Sequence, residues 1–285
     1  MIWKVFTIEL YKIFRKPRTY ISFAVVLVIS ILIQIAFKSN GKEYAQLVTA
    51  QISEIFDIND DVFAAMLNGY LICYILLQSL LINIPLLIAL VGADMFAGEA
   101  NMGTLRLLQS KPVSRVQMVL GKFAATFFYT MVLLIFLAIT ALLVSVIIFG
   151  TGDVFSAKSS TLEIVREEFV LRRYIYAFCF AALAMTTVAA LAFFLSVFGE
   201  NSIGPMVACM GIVIVCTIIG TLDDIPLFAF LKQGLFTSHM IGWKGFFDEV
   251  VPWTAITKSA IILFAHIFLF VGGAAVVYNK KDILS

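Results

Sequence analysis

Six uninterrupted apolar stretches, at about 20–37, 70–92, 123–149, 174–198, 203–221 and 254–278, leave this 285-residue chain few folds to choose from. A hydrocarbon core about 30 Å thick is crossed by about 20 residues of helix, which is the length of these stretches. Membrane β-strands would show segments of about ten residues alternating in polarity, and these runs do not alternate. Helices also keep every backbone hydrogen bond within their own segment, as lipid requires. Composition agrees: 62% of residues are hydrophobic and 13% charged, the latter about half the ~25% usual in soluble domains. The expected fold is an all-α integral membrane protein with six transmembrane helices, forming one membrane domain over 20–278.

Six spans place both termini on one side, and charge selects the side. The N-terminus, the loop 93–122, the loop 199–202 and the tail 279–285 hold eleven cations and five acids, leaving nine cations and thirteen acids elsewhere. Cation excess assigns the first set, and both termini, to the cytoplasm. Arg172 and Arg173 run against this trend, with Glu163, Glu167 and Glu168 nearby.

Residues 1–19 form a separate element. At about 100° per residue Ile2, Trp3, Phe6, Leu10, Ile13 and Phe14 share one sector, with Lys4, Lys12, Arg15 and Lys16 opposite and Val5 and Ile8 blurring the division. An amphipathic helix lying in the cytoplasmic interface is expected, ended at Lys16-Pro17-Arg18. Its length before the first span argues for retention rather than cleavage as a signal peptide.

Cys73, Cys179, Cys209 and Cys216 all fall within spans and read as packing residues, without disulfide or metal-ligand spacing. Outside, 38–69 predicts an amphipathic helix through Val48, Ile52, Ile55 and Phe56. Residues 150–173 predict a turn and then a charged helix, and the aromatic-rich 222–253 short helices at the outer interface. Within spans, Asn83, Gln78 and Gln34 are candidates to join helices or to line a substrate path, and His266 to bond another helix or to contact substrate, because polar groups in lipid are costly. Lys258 is close enough to the outer interface to snorkel. Ala181, Ala182, Ala184, Ala189, Ala190 and Ala192 allow close helix approach in the fourth span.

The most informative segment is 93–122, ADMFAGEANMGTLRLLQSKPVSRVQMVLGK. The second span has no obvious stop, so its helix is expected to continue through Asp94 and Glu99 to about Gln109. Lys111-Pro112 then interrupts it. Ser114 and Gln117 have capping-box spacing, so the third span restarts before the membrane, with Lys122 near the interface. The product is a helical hairpin whose bend projects into the cytoplasm.

Glu99-x3-Gly103-Thr104-Leu105-x2-Leu108, Pro112-Val113-Ser114-Arg115 and Gly121-Lys122 resemble the cytoplasmic loop of type-2 ABC transporter permeases. The N-terminal helix, the six spans and the Tyr278-x3-Lys281-Asp282-Ile283 tail are similar to that family too. The resemblance implies that Glu99 is the acidic residue coupling the membrane domain to a separate ATPase subunit. It also implies that Gly103, Thr104, Leu105, Arg106, Pro112, Ser114 and Arg115 belong to the docking region. Two permease subunits, identical or related, would then form the substrate path, and two ATPase subunits carrying ATP and Mg would drive export across a prokaryotic cytoplasmic membrane.

No nucleotide is expected on this chain. Neither Gly41-Lys42 nor Gly121-Lys122 has the earlier glycine or the following Ser/Thr of a phosphate-binding loop. His239 and His266 lack zinc-protease spacing, and no G-x-S-x-G elbow occurs. Catalytic residues, a metal site, a resident cofactor and a nucleic-acid partner are therefore not expected, and membrane lipid is the remaining contact. Two alternatives stay open. One is an ABC-type complex that passes ATP-driven motion to an extracytoplasmic maturation or assembly process. The other is an ion-coupled secondary carrier dependent on His266.

Overall fold

A computed structural model describes residues 2–56, 67–80, 83–104, 113–158, 161–222 and 226–281. Helix α1 (Ile2–Arg15) precedes α2 (Pro17–Phe56), which is kinked at Asn40. Pro17 opens α2, where its missing N–H belongs to an unpaired first-turn position. There follow α3 (Gly69–Leu80), α4 (Asn83–Gly92) and α5 (Asp94–Asn101). Next comes α6 (Arg115–Ala138), continued by a π turn at Ile139–Leu143 and by α7 (Val144–Phe149). Then come strands β1 (Val154–Lys158) and β2 (Thr161–Val165), and helices α8 (Glu167–Ser196) and α9 (Ile203–Thr221). The chain finishes with α10 (Pro226–Lys232), α11 (Phe236–Met240), a 3-10 turn at Ile241–Phe247 and α12 (Trp253–Lys280).

Five helices are long and apolar enough to cross a membrane, or six if α3 and α4, bent by 53°, count as one span. The protein is a helical, multi-pass membrane protein. The expected span 70–92 is thus two helices rather than one. Pro85 stands in the first turn of α4, where it is tolerated, but it cannot lie within a continuous helix without removing a hydrogen bond. Asn83 Nδ2 donates to the Ser79 carbonyl at 3.3 Å across this break.

The core forms around α8. Its apolar window is 61% buried within the protein, against 11% for α9, so α8 is central and α9 peripheral. Ala184, Ala189, Ala190 and Ala192 are buried on it, and small side chains let α4 approach. A Cβ added to Gly92 would meet Ala192 Cβ at 3.0 Å.

The π turn shows how a buried polar residue is satisfied in such a core. Gln34 Nε2, from α2, donates to the Thr140 carbonyl at 2.9 Å and to Ser145 Oγ at 3.0 Å. Gln34 is therefore a helix-joining residue, meeting the widened turn between α6 and α7 where irregular backbone needs partners.

One correction concerns the loops. Residues 154–165 form an antiparallel hairpin, Val154 opposite Val165 and Lys158 opposite Thr161, rather than a turn leading straight into helix. β-branched Thr161, Ile164 and Val165 favour strand, and Val154 and Val165 are buried at the hairpin base. The helix expected around Val48 and Ile52 is present: beyond the non-helical Asn40, which parts it from the first span, the backbone is helical again to Phe56.

Side-chain bonds gather the loops at two ends. At one, Asn68 Nδ2 donates to the Asp153 carbonyl at 2.7 Å and Asp153 Oδ1 accepts from Glu167 N–H at 2.8 Å. At the same end Arg173 donates to the carbonyls of Phe246 (3.1 Å), Asp248 and Glu249 (3.1 Å), which gives that cation a capping role. At the opposite end meet α1, the hairpin, the 199–202 loop and the end of α12, the four segments that charge had grouped.

Candidate functional site

The hairpin of α5 and α6 is fixed by its own sequence. Ser114 Oγ accepts from Gln117 N–H at 3.2 Å, capping α6 as its spacing predicts. The incoming leg stops earlier than expected, at Asn101 rather than near Gln109. Gly103 takes φ of 67°. Its N–H donates to Ala100 O at 3.0 Å, and Thr104 N–H donates to Glu99 O at 3.1 Å. That pair of bonds is a Schellman stop, whose left-handed position suits glycine. Leu105, Arg106 and Pro112 lie outside the described residues.

Beneath this stop lies a buried ion-pair group. Lys122 is fully buried on α6. Its Nζ stands 2.8 Å from Glu99 Oε2 and 3.0 Å from Glu9 Oε2, and donates to the Met95 carbonyl at 3.0 Å. Lys12 Nζ bridges the same two acids from the other side, 2.7 Å from Glu99 Oε1 and 2.8 Å from Glu9 Oε1. Two cations against two carboxylates make the group neutral, and every carboxylate oxygen in it has a charged neighbour.

Burial works against charge on Glu9, but Lys122 and Lys12 outweigh it and hold its carboxyl below the usual value. On Lys12 burial likewise opposes charge, and Glu9 and Glu99 outweigh it, raising the amine above its usual value. Both are charged near neutral pH.

Asp94 forms an adjoining group. Its carboxylate pairs with Lys16, lies 2.7 Å from Arg18 Nη1 and accepts from Ser202 Oγ at the start of α9. Gly98 makes room one turn on, since a Cβ there would strike Asp94 Oδ1 at 2.2 Å. α12 is latched to the same hairpin. Arg115 Nη1 donates to the carbonyls of Tyr278, Asn279 and Lys281 at 3.1, 2.7 and 3.1 Å. Cations favour such helix ends. Lys281 Nζ in turn donates to the Val197 carbonyl at 2.7 Å.

Helix α1 is therefore packed inward along Val5, Glu9 and Ile13, not along the Ile2–Trp3 side, and Trp3 is 73% exposed. A Cβ added to Gly121 would lie 2.8 Å from Val5 Cγ1, so α1 and α6 are in close contact there.

The sequence-predicted residues divide accordingly. Glu99, Gly103, Thr104, Ser114 and Arg115 all stand at the hairpin. Asn83, Gln78 and His266 do not converge. Gln78 is exposed and accepts from Lys244 Nζ at 2.9 Å. His266 Nδ1 lies 2.8 Å from the carbonyl of Ile262 on its own helix, with its ring against Phe236 and Phe270. Glu9, Asp94 and Lys122 are the participants that composition and helical sectors did not single out. The available signal was Glu9 itself, a carboxylate spaced four residues from both Val5 and Ile13.

Residues 27–284 match a family described as "Protein of unknown function (DUF2705)". The chain belongs to this family. The matched range contains Glu99 and Lys122 and begins after α1. The chain is also similar to a protein of Bacillus subtilis (strain 168) described as "Uncharacterized protein YhcI", with 25% identity over 200 residues. That match covers 68% of this chain and 63% of the relative, so the chain spans less than two thirds of the relative's length.

Proposed function

We propose that this chain is the membrane-spanning subunit of an ATP-driven ABC exporter, working through a separate ATPase. The single observation that carries the reading is the Glu9–Lys12–Glu99–Lys122 group at the base of the hairpin. A push on the bend would not be absorbed by the loop, because both legs share buried charges with α1, and α1 leads directly into the first span. Arg115 passes the same displacement to α12. Glu99 in this reading holds the hairpin rigid, while the segment 104–115 between its two legs meets the partner.

The finer features follow from the same proposal. α3 and α4 make one bent span, giving six, with both termini and the hairpin cytoplasmic in a prokaryotic inner membrane. Two copies, or this chain and a related one, enclose the path, and ATP and Mg reside on two ATPase subunits. The chain itself is not an enzyme. The ion-coupled alternative would rest on His266, whose ring is engaged by Ile262, Phe236 and Phe270.

Affinity purification of the full chain from its native membrane tests the proposal. An ATPase subunit is expected to co-purify, with ATPase activity in liposomes that Glu99→Gln lowers while the complex stays assembled. A chain that purifies without an ATPase from intact membranes overturns the reading.

A further inference from the structure

The junction of α1 and α2 carries an open cleft of about 420 Å3. Lys12, Arg15, Lys16 and Arg18 line it, together with Glu9, Asp94 and Glu99. Lys122 contacts Glu9 and Glu99 from α6. Five cations thus stand against three carboxylates. Lys12 and Lys122 balance Glu9 and Glu99. Lys16 and Arg18 share the single carboxylate of Asp94, which leaves one positive charge over. Arg15 adds the other. Its guanidinium lies 4.9 Å from the centre of the Tyr11 ring, and among the described residues it forms no ion pair.

The place of this surplus matters as much as its sign. α2 is a membrane-length apolar helix that begins at Pro17, so the cleft at its start is level with a bilayer surface on whichever side that end faces. Tyr11 and Tyr20 are exposed beside it, and Ile21 and Val28 continue an exposed apolar face along α2. Aromatic side chains at headgroup level and cations beside them are the features that hold a lipid by both ends.

We propose that this cleft binds the phosphate of an anionic phospholipid headgroup. Arg15 and the Lys16–Arg18 pair face the phosphate, and the acyl chains lie against the exposed face of α2. Glu9, Asp94 and Glu99 line the same cleft, but each is already matched by cations and does not cancel the surplus. The inference needs only a membrane at the start of α2. It is independent of any ATPase and can fail or succeed separately from the exporter reading.

The test uses the full chain alone, in neutral detergent, titrated with a fluorescent short-chain phosphatidylglycerol. Phosphatidylcholine of the same chain length and inorganic phosphate are the comparison arms. Saturable binding of phosphatidylglycerol, clearly tighter than phosphatidylcholine, is expected. Arg15→Gln should weaken it about five-fold, the effect of one basic side chain near an anionic surface, and Arg15→Lys should largely keep it. Asp94→Asn should tighten binding, because it releases Lys16 and Arg18. If Asp94→Asn lowers thermal stability, the two Arg15 variants decide. Equal affinity for the two lipids, or no effect of Arg15→Gln, overturns the proposal. So does displacement by inorganic phosphate at the same concentrations as lipid, which would assign the cleft to a soluble anion.

Discussion

Lys122 Nζ stands 3.0 Å from Glu9 Oε2, so a helix preceding the first span is tied to the third span by a buried charge. The same amine reaches Glu99 at 2.8 Å, which places one cation between two segments far apart in sequence. Such a group adds little stability over apolar packing, but it is costly to break by halves, because the remaining charges stay buried.

Lys122→Met should therefore destabilise the protein by about 3–5 kcal/mol, the usual cost of leaving a buried charge without its partner. Glu9→Gln added to it leaves Lys12 with Glu99, one charge of each sign, and should recover part of the loss. Thermal unfolding in detergent across the double-mutant cycle measures the coupling. Additive effects of the two substitutions would show that they do not interact.

The attachment of α1 should depend on pH at both extremes. Glu9 titrates below its ordinary value of 4.5 when packed, so its contribution is complete above about 4.5 and is lost as pH falls through the lower packed value. Lys12 titrates above its ordinary 10.5, so its contribution is complete below about 10.5 and is lost as pH rises through the higher packed value. The protection factors of α1 amides, which divide out the intrinsic pH dependence of exchange, should be highest between these limits and fall beyond them. In Glu9→Gln the acid-side fall should largely disappear.

Gly121→Ala puts a methyl group 2.8 Å from Val5 Cγ1. Overpacking of this kind costs about 1–3 kcal/mol, and here it should loosen α1 specifically. Val5→Ala in the same chain should restore the thermal midpoint and the protection of α1 only in part, because Cβ of residue 5 itself lies 2.9 Å from the new methyl. A Gly121→Ala chain that keeps wild-type exchange in α1 would contradict the close approach.

Gln34→Leu removes the donor to the Thr140 carbonyl and Ser145 Oγ. With interhelical bonds of this type worth about 1 kcal/mol each, a loss of about 1–2 kcal/mol is expected. The exchange of amides around the π turn should rise while the hairpin end is unaffected.

The long apolar helices were legible because length and apolarity act directly on a chain in lipid, with no need to know its neighbours, whereas the break between α3 and α4 was not. The capped start at Ser114 was legible for a similar reason, since its bond is local. The early stop at Gly103 was harder to place, because the polar residues after Asn101 read equally well as an exposed helix. Glu9 was missed because a helical sector sorts residues by hydropathy, and Glu9 falls at the sector's edge beside Ile2 and Ile13. Only the three-dimensional arrival of Lys122 and Lys12 makes burial of that carboxylate tolerable. Lys122 itself reads, in sequence, as one more cation near a membrane end. Nothing within its own helix says that two acids from elsewhere will surround it.

The order in which these groups leave the ribosome gives α1 an unusual history. Glu9 is synthesised first, yet its buried partner Lys122 comes only after α2, α3, α4 and α5 have been made. Until then the helix has a carboxylate in the middle of its packing face and no buried site able to receive it. The contacts of α1 with Lys122 therefore cannot form before α6 has been made. An undocked α1, readable by protease cleavage at its lysines, would mark a chain whose hairpin has not yet assembled.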